Sequence, residues 1–132
     1  MGLGKLDEAV SQVERGLELE TKAVGSEHEA LADGLSLLAE IRLGQGRAED
    51  AERLARRAAT VAKAPEFKLQ LEVAAMMWHA HAECDGAKGT VEATAFLDAA
   101  AEGIGPETMG MLRGALEGLP QAVADYPGCG VE

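Results

Sequence analysis

The sequence predicts an all-α fold, built as a stacked array of antiparallel helix pairs and closed at its C-terminal end by a capping helix. Three observations carry that prediction. Apolar residues recur with helical period through most of the 132 residues. Aromatic residues are only 3% of the chain while alanine fills much of the 47% apolar share, a balance that suits closely packed helices and leaves little for alternating strands. A segment also repeats: GKLDEA from Gly4 returns 42 residues later as GRAEDA from Gly46, with a weaker KGTVEA from Lys88. At that spacing Ala9, Ala51 and Ala93 align, as do Gly16, Ala58 and Ala100, and Val13, Ala55 and Leu97. Small residues at fixed places mark close helix crossings, where a larger side chain would push two backbones apart.

Each helix follows from its pattern. Residues 5–23 place Leu6, Ala9, Val10, Val13 and Leu17 on one stripe, and residues 47–63 do so with Ala48, Ala51, Leu54, Ala55, Ala58 and Ala62. On the polar face of the second, Glu49 precedes Arg53 and Glu52 precedes Arg56, the favourable order for pairs four residues apart. Residues 29–44 differ: Leu31, Leu35, Leu38 and Ala39 form one stripe and Leu37, Ile41 and Leu43 another, so this helix is expected to be covered on two sides. Residues 66–84 are likewise apolar nearly all round, with Phe67, Leu71, Ala74, Ala75, Trp78 and Ala82 on one stripe and Leu69, Val73, Met76 and Met77 elsewhere. Residues 90–104 return to one stripe, Ala93, Phe96, Leu97, Ala100 and Ile104. One-sided helices alternating with two-sided ones are what a stacked array requires.

Turn signals at Gly25-Ser26, Gly44 to Gly46, Ala64-Pro65, Gly86 to Gly89 and Gly105-Pro106 separate these stretches. Pro106 then opens a cap over residues 106–119, carrying Met109, Leu112, Leu116 and Leu119, which Pro120 ends or bends. The expected organisation is one repeat domain over 1–125, with units of about 4–24, 29–63 and 66–104, followed by a flexible tail over 126–132. Its first helix corresponds to the second of a pair, so the chain is expected to start halfway through a repeat and to belong to a longer array.

Charge and chemistry narrow the function. A formal net charge of -11 argues against nucleic acid and anionic membranes, which are bound through Lys and Arg, and favours a basic or neutral protein partner. The simpler reading of the acidic surface is that it keeps the protein soluble. No apolar run approaches the roughly 20 residues that span a bilayer, and Met1 to Asp7 lacks the start of a secretory signal, so a cytoplasmic protein is expected. Cys84 and Cys129 form neither a CxxC pair nor a dense framework and are expected to be free thiols. His79, His81 and Cys84 are the one cluster resembling a metal or nucleophile site. His79 and His81 lie about 160° apart around a helix and cannot share an ion, whereas His81 and Cys84 share a face. No nucleophile elbow and no phosphate loop is present, and carboxylates scattered over helices do not define an acid/base pair. No enzyme activity, cofactor or metal is expected.

The run from Gly25 and His28 through LSLLAEIRLGQGRAEDAERLARRAATVA resembles the tetratricopeptide repeat, in the 42-residue variety of kinesin light chains. The family's turn, Leu-Ala pair, closing glycine and small residues of the second helix are matched by Gly25 and His28, Leu38 and Ala39, Gly46, and Ala51 and Ala58. The likeness is strong over residues 4–62, weak over 66–104 and absent after Gly105; Arg42 stands where an aromatic is usual, and the repeat around Trp78 fits only with a small insertion. The resemblance implies a right-handed superhelix whose inner helices line a groove for a peptide of a partner protein. On this chain the groove positions become Asp33, Ser36 and Glu40, with Trp78 as neighbour, two carboxylates and a serine that suit a basic peptide. Asp33 and Glu40 read equally as solvated helix residues, while Trp78, within the longest apolar stripe, reads first as core. Two other functions stay open: a homodimer through the first helix, and a small metal or thiol protein using His81 and Cys84.

Overall fold

Helix-length runs punctuated by glycine and proline give seven helices and no strand among the described residues. The structure, a computed structural model, describes residues 3–25 and 27–129; Ser26 and residues 130–132 of the expected tail lie outside them. The elements are α1 (Leu3–Val24), α2 (Leu31–Gly44), α3 (Ala48–Val61), α4 (Pro65–Glu83), α5 (Gly86–Ala99), α6 (Pro106–Glu117) and α7 (Leu119–Ala124). Gly46 turns the chain from α2 into α3 at φ 82°, a left-handed backbone that only glycine adopts without cost.

The array is organised about α3, which packs extensively against both α2 and α4. Ala51 and Ala58 are 0% exposed and Ala55 1%, so the two flanking helices approach its backbone with nothing larger than a methyl between them. Ala93 on α5, aligned with Ala51 in the repeat, is also 0% exposed. Ala9 and Gly16, in the same two columns of α1, are half-buried and exposed, because α1 packs chiefly on α2 alone. Gly4 falls in the first turn of α1.

Three apolar clusters run along the stack. Leu31, Leu35, Ala58, Val61 and Leu71 join α2, α3 and α4. Ala39, Ala51, Ala55 and Ala75 continue that junction, with Leu43, Leu54 and Trp78 against them. Leu69, Val73, Ala80, Ala93, Leu97, Leu112, Leu116, Leu119 and Val123 close the C-terminal end.

The expected two-sided cover of α2 holds on one side only. Its Leu31, Leu35, Leu38 and Ala39 stripe is buried, but Ile41 and Leu43 are half-buried and Leu37 is 49% exposed. Leu37 stands three and four residues from Glu40 and Asp33, so it shares their solvent stripe.

At the C-terminal end, Gly86 to Gly89 do not form the expected turn but the first turn of α5, which therefore starts at Gly86 and ends at Ala99. Asp85 caps it by accepting the Lys88 N–H at 3.0 Å. The glycines are there for space: a Cβ on Gly89 would lie 2.5 Å from the Ala80 Cβ, and one on Gly86 would lie 2.7 Å from the Pro120 Cα. Pro120 does not end the cap helix either. It occupies the first turn of the separate helix α7, where its missing N–H has no intrahelical partner to lose.

Gly86→Ala is expected to destabilise the chain by about 1–3 kcal/mol in urea unfolding. Alanine's better helix propensity, about 1 kcal/mol, works the other way, but the clash is with the Pro120 backbone, which moves only by displacing α7.

Candidate functional site

The face of the array between α2 and α4 carries a shallow hollow of about 180 Å³. Ser36 and Glu40 wall it from α2, and Phe67, Gln70, Ala74 and Trp78 from α4. Ala39 and Ala55 form its floor, which is low because those positions cannot hold more than a methyl. Three of the four groove positions read from the sequence, Ser36, Glu40 and Trp78, therefore meet in one hollow. Asp33 does not wall it; it is exposed on the α2 solvent stripe about one turn before Leu37. Trp78 is half-buried, resting against the alanine cluster while still lining the hollow.

Phe67 and Ala74 went unnoticed in the sequence as groove residues because an apolar residue on a nearly all-apolar helix carries no sign of which side it faces; Gln70, polar among them, does carry one. Leu37 gave a signal that could have been used: it is the sole apolar residue between Asp33 and Glu40 on a stripe otherwise read as solvated.

On another part of the α3–α4 contact, Glu52 bridges the helices. Its carboxylate accepts from Arg56 at 2.8 Å and lies 2.9 Å from His79 Nδ1. Burial works to raise the Glu52 pKa, but the hydrogen bonds and charges of His79 and Arg56 together win and hold it below the ordinary carboxylate value. His79 is thus turned toward α3, away from His81.

The end of α4 holds the main departure from the sequence reading. Cys84 and Cys129 are not free thiols but a disulfide, with Cα atoms 5.1 Å apart across a separation of 45 residues. Such spacing gives no sequence signal, because the bond is a product of how α5, α6 and α7 return the chain. Residues 126–129, expected as part of a flexible tail, are a strap. Besides the disulfide, the Tyr126 hydroxyl donates to the Leu43 carbonyl at 2.8 Å, and the Tyr126 ring meets His81 edge-on at 4.9 Å. His81, 5% exposed, donates from Nδ1 to the Met77 carbonyl at 2.7 Å and meets Trp78 edge-on at 5.7 Å. Strap, α4 end and first turn of α3 surround a cavity of about 410 Å³.

Cys84 itself sits at φ 53°, ψ 39°, the left-handed residue that closes α4. Its N–H bonds the His81 carbonyl at 3.2 Å and the Asp85 N–H bonds the Ala80 carbonyl at 3.1 Å, a Schellman pair of caps. Glycine is the usual residue there, and a side chain costs roughly 1–2 kcal/mol. The pairing of His81 with Cys84 as metal ligands is overturned, since the Cys84 sulfur is bonded to Cys129 and is not a thiolate. Among the described residues no group of three His, Cys, Asp or Glu side chains could hold a metal ion.

Fold and site together define an all-α helical-repeat array with a hollow between α2 and α4 and a clasp at the end of α4. Residues 1–64, just under half of the chain, are similar to the tetratricopeptide repeat, whose family model they match. No curated protein matches the chain, and no solved structure does. No helix among the described residues is long and apolar enough to cross a membrane.

Two expectations follow. Glu52→Gln should lower stability at pH 7 by up to about 1 kcal/mol. Because the Glu52 pKa is depressed in the folded state, its contribution is present above the unfolded value, about 4.3, and is lost as pH falls through the folded one. Urea unfolding at pH 7 and near pH 3 should show the variant's deficit shrinking at the lower pH. Tyr126→Phe should cost about 0.5–1.5 kcal/mol through its lost bond to Leu43. Burial raises the Tyr126 pKa, so its contribution is full below about pH 10 and declines as pH rises through the raised value. The alkaline loss of stability should therefore be smaller in the phenylalanine variant.

Proposed function

We propose that the chain is a non-catalytic interaction module, a scaffold whose α2–α4 hollow holds an extended segment of a partner protein. The observation that carries this reading is the chemistry of the hollow. Small residues make a floor on which a backbone can lie close, Phe67 and Trp78 stand three turns apart along α4, and Ser36, Glu40 and Gln70 offer polar partners between them. A peptide placing an apolar side chain against Trp78 and a lysine or arginine at Glu40 would complement it, and the net charge of -11 would speed its approach. Asp33 and Leu37 extend the same surface toward the start of α2. The 42-residue spacing between Gly4 and Gly46 favours the longer repeat variety seen in kinesin light chains.

Self-association through α1 is a second reading, favoured by the exposure of Leu19 at 58% and Val24 at 41% on a helix that packs chiefly on one neighbour. The setting proposed is the cytoplasm, where reductants keep most disulfides open. Cys84–Cys129 would then be a bond that cycles rather than one that stays closed.

An array of extended peptides, half of them carrying Lys or Arg, tests the groove. The wild-type chain should retain basic members, and Glu40→Lys should weaken them at least tenfold while keeping its helical signal. Retention that ignores peptide charge, or is untouched by Glu40→Lys and Trp78→Ala alike, would sink the reading. Mass by light scattering over a concentration series separates self-association, which Leu19→Glu should abolish.

A further inference from the structure

Away from the hollow, chemistry-bearing side chains from three segments converge at the clasp, and the way it is fastened indicates a use. We propose that Cys84–Cys129 is a reversible thiol–disulfide exchange site for a dithiol reductant, and that opening it releases the strap over His81 and alters the Trp78 end of the hollow.

Four observations carry the inference. First, the bond does not hold the core: α7 closes the C-terminal cluster with Leu119 and Val123, 0% and 3% exposed, before the strap begins. Second, the left-handed end of α4 is kept by backbone bonds to His81 and Ala80, so the helix cap survives when the sulfurs part. Third, apart from the disulfide, the strap is held to the rest of the fold by one neutral hydrogen bond, one edge-on ring contact and the packing of the half-buried Cys129 on the C-terminal cluster, and its Pro127 and Gly128 are exposed. Those contacts alone leave it free to detach and return. Fourth, Tyr126, His81 and Trp78 form a continuous row of rings, at 4.9 Å and 5.7 Å, from the strap to the wall of the hollow. Displacing Tyr126 removes the outer support of His81, and His81 is the ring against which Trp78 rests.

The chemistry balances with the reductant named. Cys84 is the exposed member of the pair and Cys129 the half-buried one, so a thiolate of the dithiol attacks Sγ of Cys84. The S–S bond breaks, its electron pair leaves with Cys129 as a thiolate, and water supplies that sulfur with a proton. The reductant's second thiol, once deprotonated, attacks its own sulfur in the mixed disulfide and expels the Cys84 thiolate, which is protonated in turn. The reductant leaves as a cyclic disulfide, two electrons poorer, and the chain holds two thiols. The Cys129 sulfur lies 3.1 Å from the His81 carbonyl, a contact in which a disulfide sulfur has no proton to give and a thiol would have one.

The test uses the whole chain, oxidised and then treated with dithiothreitol. Trp78 is the chain's one tryptophan, so its emission reports this site alone. Reduction without denaturant should expose two thiols, shift the Trp78 emission, and speed amide exchange over 126–129 at least tenfold, with the far-ultraviolet helical signal unchanged; reoxidation should reverse all of these. Cys129→Ser should resemble the reduced chain and ignore dithiothreitol, and Tyr126→Leu should shift the emission with the bond intact. A bond that resists reduction until the helices melt would mark a structural staple and overturn the proposal. So would a reduced chain whose emission and exchange match the oxidised one, or an unshifted Tyr126→Leu. None of these readings uses a peptide, so their failure and that of the groove proposal are independent.

Discussion

The alanine contact along α3 is the constraint from which the rest of the structure follows. Ala51, Ala55 and Ala58 have almost no exposed surface, and α2 and α4 both press on them. A methyl at each position sets how near the two neighbours come, and therefore how close α2 and α4 stand across the inner face. The hollow between them exists because Ala39 and Ala55 floor it; a leucine at either place would fill it and force the helices apart. Architecture and candidate site are thus two consequences of one packing rule.

How much of this was legible in the sequence depended on the kind of signal. The repeat columns at Ala9, Ala51 and Ala93, and the stripes of α1 and α3, were readable because a one-sided helix declares its buried face. The α4 helix does so poorly, since apolar residues nearly all round leave its faces hard to tell apart, and so Phe67 and Ala74 emerged only with the fold, although the polar Gln70 marks their side. Glycine misled at Gly86 and Gly89 for a related reason. A turn and a close helix crossing both demand glycine, and the sequence cannot say which of the two demands is operating. Asp85 offered a hint, being a good N-cap placed directly before them. The Cys84–Cys129 bond had no local signature at all, because it depends on three intervening helices bringing position 129 back to the end of α4.

Among the described residues, the faces of α1 and α5 are covered in different ways. At α1 the repeat columns run out into solvent, with Ala9 half-buried and Gly16 exposed where their counterparts on α3 are sealed. The C-terminal end is sealed instead by α6 and α7, whose Leu112, Leu116, Leu119 and Val123 cover the face that α5 would otherwise present. Repeat stacks bury little area per helix when their contacts are built from alanine, so each layer leans on its neighbours and the terminal layers are the weakest.

The covalent clasp lies beside the face that α6 and α7 already seal, so it has little of the core left to fasten. The left-handed position that closes α4 would be cheaper as glycine, yet it carries a cysteine, and the bonded strap it recruits adds no residue to the sealed core beyond a partly buried Cys129. What the strap does add is Tyr126 against His81, and through His81 a support behind Trp78. A residue costly to the backbone and dispensable to the core, but in line with the wall of the hollow, is better placed to adjust that wall than to hold the fold.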